Sequence, residues 1–332
     1  MYRLAVSPAT PAQSPFPQRV TRLAPSPTGA LHLGNARTFL INWALARQNG
    51  WKIVLRIEDL DTPRVKAGAV AGIERTLRAM GIDWDDGPLV QSHDLEPYRA
   101  AMQTLAARGL TYPSPETRGE LVHASEAASA PQEGARESVF PASRRPREIP
   151  PRFEPQAEPC NWRLVVPPRD VVIADRVAGE RAFRPCEIVG DFVIWTKRDL
   201  PAYQLAVVVD DARQGVTDIV RGDDLFESAA RQRLIIEGLD LAHAPDYYHV
   251  PLVRGEDGKR LAKRHGDTRV DTYLNAGVPP ERLIGLLAAW SGVPGERREM
   301  SAAEFRAAFD LAALPRYDVT FRSGDDAWLR QA

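Results

Sequence analysis

Apolar residues recur along this chain with the periods of alternating strands and helices. Val20–Ala24 is a short extended run leading into a turn marked by proline and glycine. Ala36–Gln48 then sets Phe39, Leu40, Trp43 and Ala44 at helical spacing until Asn49-Gly50 stops it. The run KIVLRIED is apolar almost throughout and ends in acids, the pattern of a buried parallel strand. Ala67–Met80 reads as a helix closed by Gly81, and Leu95–Arg108 as another closed by Gly109. This βαβα alternation predicts an α/β fold built on a doubly wound, Rossmann-like parallel sheet.

The alternation breaks over residues 112–160, which are rich in Pro, Ala, Ser, Glu and Arg and read as an insertion with loop or partly disordered character. Regular structure returns with Asp191–Trp195, LAVVVDD and GVTDIVRG. A helix over Ser228–Gly238, the strand-like YYHVPLV and a helical piece over Leu274–Trp290 follow. No internal repeat is visible.

Composition narrows the function classes. The 332 residues carry a formal net charge of −1, so any nucleic-acid contact must come from local patches. Two cysteines, Cys160 and Cys186, argue against a disulfide scaffold and fit a reducing cytoplasm. No apolar run approaches the roughly 20 residues of a membrane span. The proline-rich start reads as a loose tail over residues 1–18, not as a secretory signal.

Candidate chemistry concentrates in RLAPSPTGALHLGNAR, from Arg22 to Arg37. Strand, tight turn and helix N-terminus in succession present backbone N–H groups to phosphate, and His32 adds a donor beside them. Three further polar clusters fall at carboxyl ends of predicted strands: Glu58-Asp59, Arg221-Gly222-Asp223-Asp224, and the loop GEDGKRLAKRHGDTR. Charged caps on strands are common, and a run of cations is ordinarily a solvated face. Together, however, the clusters converge on the sheet edge where open α/β folds bind ligands. The loop's Lys259, Arg260, Lys263, Arg264, His265 and Arg269, flanked by glycines, suit closure on a polyphosphate. Neither a Walker A sequence nor a G-x-G-x-x-G is present.

These residues carry a resemblance. APSPTGALHLGN resembles the HIGH-type signature of class I aminoacyl-tRNA synthetases, and KRLAKR resembles their KMSKS-type loop. RIEDLDTPR, GIDWDDGP and VVVDDARQGVTDIVRGDDL are similar to the glutamyl branch, over roughly Arg22 to Tyr273. The chain stops soon after the second signature, which resembles the truncated paralogues of that branch that esterify glutamate to queuosine in tRNA(Asp). The resemblance implies attack of the glutamate carboxylate on the α-phosphorus of ATP, with Mg²⁺ bridging the phosphates. His32 and Lys263 would be the catalytic pair. Gly34, Asn35, Arg260, Leu261, Ala262 and Arg264 would join them around ATP. Arg22, Leu23, Ala24, Pro25 and Ser26 would line the glutamate pocket; Glu58 would take the ammonium, and Tyr203 and Arg221 would complete it. Ala262 replaces a hydroxyl residue usual in the family but keeps the following lysine. A guanidinium fork matches a carboxylate and leaves charge unpaired against a neutral amide.

The implied organisation is a tail over 1–18, the first half of the catalytic domain over 19–111 and an inserted acceptor-like subdomain over 112–190. The second half, with the KMSKS-like loop, follows over 191–270. A C-terminal helical region over 271–332 leaves no room for an anticodon-binding domain. Many family members hold zinc in the insertion. Here TYPSPETRGEL puts Ser114 and Glu116 where cysteines would stand, and VFPASRR puts Phe140 and Ser143 in place of a tyrosine and a cysteine. Serine is no zinc ligand at neutral pH, so zinc is not expected. Cys160 and Cys186 are too isolated to rebuild the site and are expected to be buried hydrophobes. Arg136, Arg144, Arg145, Arg147 and Arg152 form either a solvated loop or an RNA-backbone contact.

The expected protein is a cytoplasmic monomeric ligase acting on L-glutamate, ATP and queuosine-bearing tRNA(Asp). The alternatives are a short enzyme charging the tRNA 3′ end, a non-catalytic adenylate- or RNA-binding paralogue, and a nucleotidyltransferase for another small acid. Retention of His32, Glu58, Arg221 and Lys263 speaks against a mere binder.

Overall fold

The structure is a computed structural model that describes residues 18–27, 31–61, 65, 68–115, 139–154, 159–259, 261 and 267–331. The first strand, β1 (Val20–Leu23), feeds helix α1 (Leu33–Asn49). The helix starts where the imidazole Nδ1 of His32 accepts the Asn35 N–H at 3.3 Å, and it ends at Gly50, whose φ of 67° is the left-handed cap. Strand β2 (Lys52–Ile57), helix α2 (Ala69–Ala79), strand β3 (Asp86–Val90) and helix α3 (Glu96–Ala107) complete the first half.

The second half of the sheet comes from distant sequence. Helix α4 (Tyr203–Arg213) precedes β10 (Asp218–Gly222), and helix α5 (Phe226–Leu239) precedes β11 (Asp246–Val250). The sheet runs β11-β10-β1-β2-β3, parallel throughout. Strand order therefore reverses between β1 and β10, the switch point at which such sheets bind ligands. LAVVVDD, an apolar run ambiguous between strand and helix, lies within α4.

Between the halves, β4 (Thr111–Ser114), β5 (Asn161–Leu164), β8 (Val193–Thr196) and β9 (Leu200–Pro201) form an antiparallel sheet. A hairpin of β6 (Val171–Ile173) and β7 (Arg181–Phe183) accompanies it. The expected loop character of 112–160 is therefore only part of the picture. β4 and a short 3₁₀ turn at Ala142–Arg144 are regular, while 116–138 and 155–158 lie outside the described residues.

After β11 come β12 (Val253–Arg254), α6 (Val270–Asn275), α7 (Pro280–Trp290), α8 (Ala302–Ala308), β13 (Val319–Thr320) and α9 (Ser323–Arg330). The helical piece expected over Leu274–Trp290 is two helices. Gly277, at φ 85°, and Pro279 interrupt it, because proline disfavours helical geometry in the residue before it.

Two apolar cores sandwich the parallel sheet. Leu23, Ile53, Leu55, Val220 and Val250 pack with Leu40 and Ile41 of α1, and Leu283, Leu287 and Phe305 from the C-terminal helices join the same cluster. Ile219 and Tyr247 face the other way, onto Leu205, Val209 and Leu234, and that cluster extends to Trp162 and Trp195 of the insertion. No helix among the described residues is long and apolar enough to cross a membrane.

Candidate active site

Strand alternation assembles the site. Registers Arg22↔Val54 and Arg221↔His249 place Arg22, Arg56, Arg221 and His249 on the sheet face opposite α1, towards their carboxyl ends. All four are buried there, beneath α4 and α5. Burying so many cations demands partners. Asp211 of α4 supplies one: its Oδ1 accepts Arg56 Nη1 at 2.7 Å and lies 3.3 Å from Arg22 Nε. Arg56 also donates to Gln214 Oε1 at 2.8 Å and to Glu58 Oε1 at 3.1 Å. Arg22 donates to the carbonyl of Val220 across the switch point, at 3.3 Å.

Burial alone would raise the Asp211 pKa, but Arg56 and Arg22 outweigh it and hold the carboxyl below its ordinary value. Glu58 shows the opposite balance. Burial, only partly countered by Arg56 and Arg22, raises it above an ordinary glutamate. A carboxylate that its surroundings under-compensate is suited to receive a ligand cation. Tyr203 opens α4, is buried, and is pushed up to about 12 by burial and by the Glu58 charge.

Arg221 is held differently. Its Nε donates to His249 Nε2 at 2.9 Å and its Nη2 to the Leu225 carbonyl at 3.3 Å. Its Nη1 is buried with no hydrogen-bond partner among the described residues.

Of the residues expected around glutamate, Arg22, Glu58, Tyr203 and Arg221 are thus gathered at one place. Pro25 accepts the Glu58 N–H at 3.1 Å, tying the opening turn to the end of β2. Ala24 and Ser26 flank it in that turn, the latter exposed. The side chain of Leu23 lies in the α1 core, which leaves only its backbone for the role expected of it. Asp59, by contrast, caps local structure, accepting both the N–H and the hydroxyl of Ser92.

The half expected to face phosphate is built on the N-terminus of α1. A Cβ at Gly34 would stand 3.3 Å from the His32 ring, so glycine there leaves the imidazole room to lie over the helix start. Asn35 gives its N–H to that ring. Leu261 is buried in the α1 core and its N–H donates to Val253 at 3.2 Å. Arg260, Ala262, Lys263 and Arg264 lie outside the described residues, as do His265, Glu116 and Arg136.

The positions expected to lack zinc ligands sit in a hydrogen-bonded cluster. Arg163 donates to Ser114 Oγ at 3.3 Å and to the Asp191 carbonyl at 2.8 Å, and its guanidinium stacks 3.8 Å from the Phe140 ring. Ser143 falls in the 3₁₀ turn beside them. Arg145 pairs with buried Asp191, so this arginine is committed inside the insertion and is not a free RNA-facing cation. Arg144 lies 5.7 Å over Phe140, Arg152 stands 3.9 Å from Glu154, and Arg147 is exposed. Cys160 and Cys186 are free and half-buried against the second core, not fully buried as expected.

Arg56, Asp211, Asp175 and His249 were not singled out from sequence. The usable signal was a charged or polar residue inside an apolar run: Arg56 in KIVLRI, His249 in YYHVPLV.

The chain is 43% identical over 286 residues to a Glutamyl-Q tRNA(Asp) synthetase of Rhodopirellula baltica, covering 82% of this chain and 85% of that one. It is 40% identical to a glutamate–tRNA ligase of Nitrobacter hamburgensis, covering 91% of this chain but 62% of that relative's length. A crystal structure of a glutamate tRNA ligase from Elizabethkingia meningosepticum, in complex with its amino acid, superposes with a TM-score of 0.73 at 26% identity. That match covers 94% of this chain and 68% of that one. Residues 18–321 match the tRNA synthetases class I (E and Q) catalytic domain, which spans the whole described sheet and both signature segments; the chain is a ligase belonging to that family.

Proposed function

We propose that this ligase activates L-glutamate with MgATP and transfers the glutamyl group to queuosine in the anticodon of tRNA(Asp). The observation that carries the reading is the grouping of buried Arg22 and Arg221 with half-buried Glu58 at the switch point, two cations and one under-compensated anion matching a dicarboxylate bearing one ammonium. In the first step a glutamate carboxylate oxygen attacks the α-phosphorus, and the bond to pyrophosphate breaks. Glutamyl-adenylate and pyrophosphate result. In the second, a hydroxyl of queuosine attacks the acyl carbonyl, AMP leaves and an ester forms. Such chemistry relies on positioning and on stabilising charge. His32 would meet the triphosphate at the α1 N-terminus, and Lys263 would follow charge onto pyrophosphate. The two free cysteines fit a reducing, cytoplasmic setting.

The acceptor is favoured by the similarity to a Glutamyl-Q tRNA(Asp) synthetase over 85% of that relative's length. Glutamate-dependent ATP–pyrophosphate exchange without tRNA tests the first step. Transfer to tRNA(Asp) with and without queuosine tests the second. Transfer to unmodified tRNA(Glu) would instead establish 3′-end charging, and absence of exchange under every condition would defeat the catalytic reading.

A further inference from the structure

The mechanism above uses Arg221 as a ligand for glutamate but leaves unexplained why a buried guanidinium holds one pose. The answer lies in two residues that face no substrate. Adjacent strands β10 and β11 register Arg221 directly with His249. Arginine only donates, so the 2.9 Å contact from Arg221 Nε requires a bare Nε2 on His249. The imidazole proton must then sit on Nδ1, where Asp175 Oδ2 accepts it at 2.6 Å.

Asp175 reaches the sheet from the turn between β6 and β7 of the insertion. It is itself fixed: Oδ1 takes the N–H groups of Val177 and Ala178 at 2.8 and 2.7 Å, and Oδ2 also takes the His249 N–H at 3.0 Å. Phe226 stacks on the imidazole with ring centres 4.6 Å apart, closing its other side. Burial, against the pull of Asp175, lowers the His249 pKa to about 4, so the ring stays neutral and keeps the tautomer Arg221 needs.

We propose that Asp175 and His249 are positioning residues: through a fixed imidazole tautomer they aim Arg221 so that its unpartnered Nη1 meets a substrate carboxylate. This rests on the reading of glutamate as the ligand. It also makes the insertion a contributor to amino-acid recognition, because the carboxylate that sets the relay comes from its hairpin.

The relay predicts different outcomes for variants of similar size. In Asp175→Asn an amide N–H₂ must face either the His249 donors or the Val177 and Ala178 donors, so the tautomer loses its anchor. His249→Leu removes the acceptor for Arg221 Nε. His249→Gln offers an amide oxygen in its place. Kd values for glutamate and for ATP would be measured by calorimetry, with KM and kcat from pyrophosphate exchange. Asp175→Asn and His249→Leu are expected to weaken glutamate about 10- to 100-fold while ATP affinity stays within about twofold, and His249→Gln to recover most of the loss, as expected for one misplaced charged hydrogen bond. Glutamate affinity unchanged in folded Asp175→Asn and His249→Leu would overturn the inference. So would equal losses for glutamate and ATP, or unfolding of all three variants, since each marks a purely structural role. Wild-type protein that fails to bind glutamate would instead defeat the proposed function itself.

Discussion

The backbones of His32 and Arg269 meet as an isolated antiparallel bridge. Leu33 N–H donates to the Thr268 carbonyl at 3.0 Å and Val270 N–H to the Leu31 carbonyl at 2.8 Å, extending the contact on both sides. The start of α1 and the close of the KRLAKR loop are thus bonded to each other, although the chain separates them by most of the catalytic region. Leu261, before the loop, is seated in the core and donates its N–H to the Val253 carbonyl of β12.

His32 has two separable duties, as helix cap and as candidate phosphate ligand. Asparagine is a good N-cap but lacks the imidazole. His32→Asn should therefore keep stability within about 1 kcal/mol of wild type, while His32→Ala should lose about 1 kcal/mol. Both should lower pyrophosphate exchange by about 100-fold or more, the scale of a lost transition-state donor. Urea unfolding and exchange rates on the same preparations check this. Normal exchange in His32→Asn would remove the imidazole from the mechanism.

Asp211 holds Arg56 and Arg22 together at the switch point. Asp211→Asn leaves two buried guanidinium groups short of one charge, and removal of one member of a buried pair costs about 3–5 kcal/mol. Urea unfolding should register a loss of this order at pH 7. The glutamate KM should rise too, because Arg22 loses the contact that orients it. A loss below about 1 kcal/mol, the scale of an exposed pair, would show that water compensates the site.

Much of the parallel sheet was legible because its strands obey local rules: KIVLRI is apolar except at Lys52 and Arg56, and Asn49-Gly50 halts α1 where the left-handed cap is needed. The candidate site was legible where a signature places a residue at a strand or helix end, as with Arg22, His32, Glu58 and Arg221. Arg56, Asp211, Asp175 and His249 escaped because their meaning is non-local. Asp211 matters only once α4 lies over β1 and β2, and Asp175 only once a hairpin of the insertion reaches β11. The break at Gly277 was present in the sequence, but apolar spacing on both sides of it resembled one helix.

The buried imidazole makes stability depend on pH with a definite sign. His249 is lowered from 6.5 to about 4 by burial, against Asp175 and alongside the Arg221 charge. The unfolded chain takes up a proton below pH 6.5 that the folded chain refuses, so this contribution is full above pH 6.5 and is lost as pH falls towards 4. The loss is up to about 3 kcal/mol. His243, also lowered by burial, acts in the same direction below pH 6.5. The readout is therefore the difference between wild type and His249→Gln in urea unfolding at pH 7.5, 6 and 5. The variant should show the shallower decline; parallel curves would mean that His249 is protonated in the folded protein.

The insertion offers a test that joins stability to metal content. Asp191 is 1% exposed and accepts from Tyr112 Oη at 2.7 Å, from Arg145 Nε at 2.6 Å, and from the Val166 N–H at 2.9 Å. Its backbone carbonyl takes Arg163, which reaches onward to Ser114 and Phe140. The cluster thus crosslinks β4, β5 and the 139–145 segment through hydrogen bonds and an arginine–aromatic stack. Asp191→Ala strands a tyrosine hydroxyl and an arginine at once and should cost about 3 kcal/mol, measured by urea unfolding. Wild-type protein should contain far less than one equivalent of zinc, and a chelator should leave its Tm unchanged. A chelator-induced fall in Tm would mean that residues beyond this cluster hold a metal.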